Sequence, residues 1–285
     1  MARPLRIQYP GAICHIVSRG NGKMIIFHDD KDRLKFLHFI ERVLEKYNWI
    51  CHAWCLMGNH YHLLIETPDA NMVPGMKQLN QFYSQFFNWK YKRVGSVLQG
   101  RYKSWLVERE SKFLDNCRYI VNNPVEAGLV DHPSQWPWSS FRATRGLEKA
   151  PAFLETDFLL RHFSTSRKTA QKMYEDFVLA GVGKGSLLIE AKQQIFLGSD
   201  SFISKTMRHV DGIDELDGVP KVQKFADRPS LEVIFNAAGT NPREVRNRLI
   251  QKAHDNLAYT QREIGEHLGL HPGYVSRIVR RLRKG

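Results

Sequence analysis

Residues 58–68 read Gly-Asn-His-Tyr-His-Leu-Leu-Ile-Glu-Thr-Pro, and the alternation around the two histidines leaves few folds open. Successive side chains on a β-strand point to opposite faces, so residues two apart share a face. Tyr61, Leu63 and Ile65 then line one face, and His60, His62, Leu64 and Glu66 the other. Two neutral imidazoles standing side by side can chelate one divalent cation. The same spacing also suits two polar residues on the wet face of a half-buried strand. The pair therefore needs partners before it implies chemistry.

Around this strand the chain alternates. Residues 12–18 are rich in β-branched side chains and end at Arg19-Gly20-Asn21-Gly22, a turn by composition. From a cap at Asp29 or Asp30, apolar residues recur at helical spacing to Tyr47, which predicts a long amphipathic helix. Residues 49–57 form a second strand, Gly58-Asn59 a tight turn, and the histidine strand completes a hairpin. Met72, Met76, Leu79, Tyr83, Phe86 and Phe87 step along a second helix. A fourth strand is expected over 101–108, and a short third helix opens at Ser111 and ends near Asn123, because Pro124 disfavours helical geometry before it. The order is that of a ferredoxin-like split βαβ fold, an antiparallel sheet with helices on one face and the other free for a flat ligand.

The chain is long enough at 285 residues for a buried core and a second domain, and its formal net charge of +13 suits a polyanionic partner such as nucleic acid. No run of about 18 apolar residues exists and the first residues lack the apolar core of a secretory signal. A cytoplasmic protein with no membrane partner is expected. The cysteines Cys14, Cys51, Cys55 and Cys117 fit no Cys-x-x-Cys site, so neither a disulfide framework nor a zinc ribbon is implied.

On the third helix Tyr119 and Asn123 stand four apart, hence on one helical face. A tyrosine hydroxyl can attack phosphorus when a cation polarises the phosphodiester. An amide oxygen can complete the coordination of a hard metal such as Mg2+ or Mn2+. A lone helical tyrosine is more often a core residue. On the fourth strand, Arg101 and Lys103 alternate with aromatic Tyr102 and Trp105, which suits phosphate contact with base stacking, or simply a solvated edge.

Taken together, Gly-Asn-His-Tyr-His-Leu-Leu-Ile at 58–65, Gln-Gly-Arg-Tyr-Lys-Ser at 99–104 and Tyr-Ile-Val-Asn-Asn-Pro-Val at 119–125 resemble the HUH single-tyrosine transposases, and within them the REP-associated tyrosine transposases. The likeness covers roughly residues 5–142, including Arg19-Gly20-Asn21 and Pro137-Trp138-Ser139-Ser140-Phe141. It implies that His60, His62 and Asn123 hold the metal, that Tyr119 is the nucleophile, and that Arg19, Asn21, Arg101 and Lys103 touch DNA. It further implies cleavage of single-stranded DNA at the foot of imperfect hairpins, leaving a 5′-phosphotyrosine and a free 3′-hydroxyl. The bond energy is kept in the adduct, so no nucleotide is consumed. The rival reading is a non-catalytic DNA- or RNA-binding regulator that uses the sheet as a platform.

Past Pro229 the character shifts. Thr260-Gln261-Arg262-Glu263 is a capping box, a glycine follows at the turn, and Pro272 opens a last basic helix, a pattern that resembles a helix-turn-helix. Tyr274, Arg277, Arg280 and Arg281 are its expected duplex-DNA contacts, with a preceding helix over 241–257 completing a trihelical domain. A protein-binding basic helix is the alternative. Many relatives stop shortly after the catalytic domain, so this tail is a departure. The whole is expected to be α+β: a ferredoxin-like catalytic domain over 1–130, an all-α helical connector over 131–228 with helical patches around 158–163, 173–180 and 187–196, and a helix-turn-helix domain over 229–285.

Overall fold

The computed structural model describes residues 6–209, 228–236, 243–257 and 259–282. Its larger compact unit runs from Arg6 to Phe202, and the described residues from Ile203 onward belong to a second.

The larger unit is built on one sheet of β1 (Ala12–Arg19), β2 (Ile50–Leu56), β3 (His60–Thr67), β4 (Lys103–Val107) and β5 (Phe196–Leu197), in the order β2-β3-β1-β4-β5. Its first four strands pair antiparallel, as the split βαβ order requires. Helix α1 (Asp30–Tyr47) joins β1 to β2, and α2 (Met72–Lys90) joins β3 to β4. The cap of α1 is Asp29, whose carboxylate accepts from the Asp32 backbone N–H at 2.9 Å. Lys90, at the end of α2, reaches both Asp29 and Asp32 at 2.9 and 2.6 Å and ties the two helices. Beneath them Phe36 packs on Tyr61 and is itself flanked by Phe27 and Tyr83, and Tyr61, Leu63 and Ile65 on this face of β3 are all buried.

The expectation of helices on one face only is not met. Helix α3 (Arg109–Glu126) lies on the opposite face, where Phe113, Cys117, Ile120 and Val121 join Ile13, Ala53, Cys55 and Leu64 in one cluster. The physical reason is that β2 and β3 are apolar on both sides, so a second layer is needed to remove Cys55 and Leu64 from water. Toward the end of this face where the histidines stand, the cover leaves a cleft between α3 and the sheet.

Pro124 does not end α3 near Asn123, since the helix continues to Glu126. The proline lacks the N–H that would bond the Ile120 carbonyl. The Asn123 side-chain amide donates instead to the carbonyls of Tyr119 and Ile120, at 2.9 and 3.4 Å, which lets the helix run on.

The segment expected as a connector is in part built into this unit. Helices α4 (Phe141–Arg145), α5 (Asp157–Arg161) and α6 (Arg167–Leu179) add Phe141, Leu159, Leu160 and Tyr174 to the α3 cluster. The patch expected as helix around 187–196 is instead a 3-10 turn at Leu187–Glu190 followed by β5, which pairs parallel with β4. Gln193 and Gln194 adopt left-handed backbone between them, which no α-helix accommodates. Helix α7 (Asp200–Met207) follows, and residues 210–227 of the expected connector lie outside the described residues.

The second unit contains α8 (Leu231–Asn236), α9 (Arg243–Asp255), α10 (Gln261–Leu268) and α11 (Pro272–Leu282). The capping box is present: Thr260 Oγ1 accepts from the Glu263 N–H at 3.1 Å, and the Glu263 carboxylate accepts from the Thr260 N–H at 2.7 Å. Gly269 takes the left-handed conformation, and Gly265 is where the turn folds back, since a Cβ there would lie 2.5 Å from the Leu270 carbonyl oxygen. Phe235, Ile250, Ala253, Ile264, Val275, Ile278 and Val279 form its core. Among the described residues no helix is long and apolar enough to cross a membrane.

Candidate active site

The histidine end of the sheet has a register that groups charge with imidazole. Arg19 of β1 lies opposite His60, and Val17 lies between His62 on one side and Lys103 on the other. One pair further along, His15 stands between Leu64 and Trp105. All these side chains share the α3 face of the sheet. Those nearest the strand ends border a cleft of about 620 Å³ lined by Arg19, His60, His62, Gln99, Arg101, Lys103, Trp105, Tyr119, Asn123 and Leu188.

Within the cleft the rings of His60 and His62 are 5.0 Å apart, and the Tyr119 ring lies 5.9 Å from that of His62. Helix α3 brings both Tyr119 and Asn123 to the histidines, as residues four apart on one face. Tyr119 Oη lies 3.1 Å from Ser186 Oγ, and Leu188 of the following 3-10 turn closes the same side. Burial, with Arg19 adding repulsion, pushes the pKa of His60 down to about 4. Burial and the neighbouring His15 and His60 hold His62 well below the ordinary histidine value. Neutral imidazoles are the form that binds metal, so this pair need not shed a proton first.

Whether these donors fit a cation is decided atom by atom. His60 Nδ1 lies 2.7 Å from Asn59 Oδ1 and His62 Nδ1 lies 2.9 Å from His15 Nε2, so each ring spends Nδ1 on the protein and keeps Nε2 for the cleft. Asn123 spends its NH2 group on the backbone carbonyls of α3, which keeps Oδ1 as its available atom. Two imidazole nitrogens and an amide oxygen suit Mn2+ or Mg2+ with phosphate oxygens completing the shell. Among the described residues there is no group of three or more His, Cys, Asp or Glu placed to hold a metal.

Of the other residues singled out from sequence, Arg101 and Lys103 line the cleft with Arg19, while Asn21, exposed beyond the end of β1, is not among its lining residues. Tyr102 cannot serve as a stacking platform here, because it is buried with the Arg6 guanidinium 3.8 Å from its ring centre. Trp105 keeps that capacity. Glu66, on the histidine face, is engaged by His52 at 3.0 Å and Arg109 at 2.5 Å, so it is a structural carboxylate. His15, Asn116, Ser186 and Leu188 were not foreseen. The first had a signal, since one histidine inside an apolar strand on the same sheet face needs a polar partner.

In the second unit Tyr274, Arg277 and Arg281 line a hollow of about 730 Å³ together with Asn247 and Arg248 of α9, and Arg280 is exposed outside it.

Comparison with known proteins assigns the chain that carries this cleft to a class of DNA-cleaving transposases. The family model described as "Transposase IS200 like" matches residues 8–123, a span that ends on Asn123. A REP-associated tyrosine transposase of Haemophilus influenzae is 30% identical over 119 residues, covering 38% of this chain and 67% of that protein. A solved structure of a REP-associated tyrosine transposase bound to a REP hairpin superposes with a TM-score of 0.46 at 19% identity, over 55% of this chain and 93% of that one. The chain belongs to the REP-associated tyrosine transposases of the IS200-like transposase family. Its function is accordingly DNA transposition chemistry.

Proposed function

We propose that the chain cuts single-stranded DNA at the foot of a hairpin through a covalent 5′-phosphotyrosine at Tyr119, with Mg2+ or Mn2+ held by His60, His62 and Asn123. The observation that carries this is the meeting, in one basic cleft, of two Nε2-presenting histidines with a tyrosine on the facing helix. The DNA backbone enters between Arg19, Arg101 and Lys103, whose charge offsets that of the phosphates, and an unpaired base stacks on Trp105. Tyr119 Oη attacks phosphorus as its proton passes to solvent. The bond to the 3′-oxygen breaks, and that oxygen leaves as a hydroxyl able to attack the phosphotyrosine and rejoin DNA. The bound cation supplies charge at the phosphate as negative charge develops there. Ser186, at hydrogen-bond distance from Tyr119 Oη, orients the phenol before DNA arrives.

Residues 229–285 form, in this reading, a helix-turn-helix module whose α11 offers Tyr274, Arg277, Arg280 and Arg281 to duplex DNA beside the hairpin. Catalysis belongs to the unit ending at Phe202. Work on chromosomal DNA places the protein at the nucleoid, in the cytoplasm. The test is cleavage of an end-labelled hairpin oligonucleotide by the full chain. Cutting at the hairpin foot that requires Mn2+ or Mg2+ and stops in chelator is expected. Undiminished cutting in excess chelator would refute the metal assignment.

A further inference from the structure

We propose that His15 and Asn116 are positioning residues that fix the proton of His62 on Nδ1 and so keep its Nε2 bare for the cation. The proposal rests on the reading of His60 and His62 as the metal-holding pair.

Asn116 Nδ2 donates to the Lys112 carbonyl at 2.8 Å, within α3, so the orientation of this buried amide is set. Turning it over would face one carbonyl oxygen with another. Asn116 Oδ1 therefore faces His15 Nδ1, at 2.9 Å. An amide oxygen only accepts, so the hydrogen resides on His15 Nδ1. His15 is fully buried and bonded, among the described residues, only to the Asn116 amide and the His62 ring, and burial with no carboxylate partner disfavours a charged ring, so the ring is neutral and its other nitrogen carries a lone pair. That nitrogen, Nε2, meets His62 Nδ1 at 2.9 Å. Two lone pairs cannot face each other there, so His62 donates from Nδ1 and its Nε2 is left without a proton.

This relay also links the two halves of the site. Asn116, Tyr119 and Asn123 fall three and four apart along α3, on one face. The helix that carries the nucleophile thus also carries the amide that sets the ligand's tautomer, and the His15 ring sits 5.7 Å from the Tyr119 ring. If α3 moves away from the sheet, the proton on His62 is no longer dictated.

The test has two arms on the full chain. In metal-free protein labelled with 15N-histidine, long-range proton–nitrogen NMR should report the Nδ1–H tautomer for His15 and His62; an Nε2–H signal for His62 would overturn the proposal whether or not metal binds. In the second arm Mn2+ binding is followed by electron paramagnetic resonance. His15→Leu removes the acceptor and should weaken Mn2+ binding roughly 10- to 100-fold. His15→Gln, which can accept from His62 and donate to Asn116, should recover most of that affinity. A simple packing role would not produce this recovery, and equal Mn2+ affinity in His15→Leu and the parent would overturn the relay. His62→Ala separates the two readings. If its Mn2+ binding matches that of the parent, the metal assignment itself is at fault and the NMR arm alone decides the relay.

Discussion

The cleft of the larger unit and the basic face of the second unit both carry arginines, but they carry them differently. Around His60 and His62 the rings are held by named partners: Asn59 holds one ring, His15 the other, and Asn116 holds His15. On α11, by contrast, Arg280 and Arg281 project as exposed side chains and Arg277 lies only within stacking distance of Tyr274, at 5.9 Å. In the proposed reading, the first arrangement concentrates function in a few atoms whose removal is decisive. The second spreads it over charges that are individually replaceable. Cleavage and duplex binding should therefore respond to substitution in different ways.

The largest contrast is expected from His60→Ala or His62→Ala. Either should reduce cleavage by at least about 100-fold, the scale at which losing one ligand cripples a site when even the groups behind a ligand matter 10- to 100-fold. Duplex affinity, measured by fluorescence anisotropy, should stay unchanged. A matching fall in duplex affinity would erase the distinction between the two regions.

Replacing Arg277, Arg280 and Arg281 together by alanine should leave hairpin cleavage intact and flatten the dependence of log affinity on log salt by about 0.9 for each phosphate that is no longer neutralised. A salt titration on one duplex reads this directly. Identical slopes would mean that α11 does not touch DNA and would favour a protein-binding surface there.

Gly75→Ala probes the scaffold away from both regions. A Cβ at Gly75 would lie 2.1 Å from the Trp49 ring, which is buried and held by its indole N–H donating to Asn71 Oδ1 at 2.6 Å, so the ring has little freedom to yield. The expected cost is about 1–3 kcal/mol in chemical denaturation. An unchanged midpoint would show that α2 can shift on the sheet.

The most gradual effect is on acid stability, since it builds over a range of pH. His15 and His60 titrate near 4 in the folded chain but near the ordinary 6.5 when unfolded, so the unfolded state binds more protons between these values. Stability of the metal-free protein should therefore fall as pH drops from 6.5 toward 4, by at most about 1.4 kcal/mol per pH unit for each such histidine. Urea midpoints across that range measure it. A flat profile would mean these rings are not held neutral.

How much of this was legible beforehand depended on whether the controlling contact was local. Alternation exposed the histidine strand, and the four-residue spacing of Tyr119 and Asn123 put them on one helical face, because both are properties of a single element. The turn glycine and the Thr260–Glu263 box were equally readable. The covering of the second sheet face by α3 was not, although Cys51-His52-Ala53-Trp54-Cys55-Leu56 in β2 is too uniformly buried for a half-wet strand. Pro124 misled because its missing hydrogen bond is replaced by the side chain of its own neighbour. Tyr102 misled because the arginine that covers it lies almost a hundred positions earlier, at Arg6. His15 needed the register of β1 against β3 before its contact with His62 could be seen.

The central claim, that Tyr119 is the atom source of the covalent link to DNA, has a direct measurement. The full chain is incubated with a hairpin oligonucleotide and Mn2+, denatured, and any protein–DNA adduct is digested and located by mass spectrometry. An adduct on the peptide that contains Tyr119, absent in Tyr119→Phe, which removes only the hydroxyl, is the predicted result. An adduct that persists in Tyr119→Phe, or that maps to another residue, would contradict it.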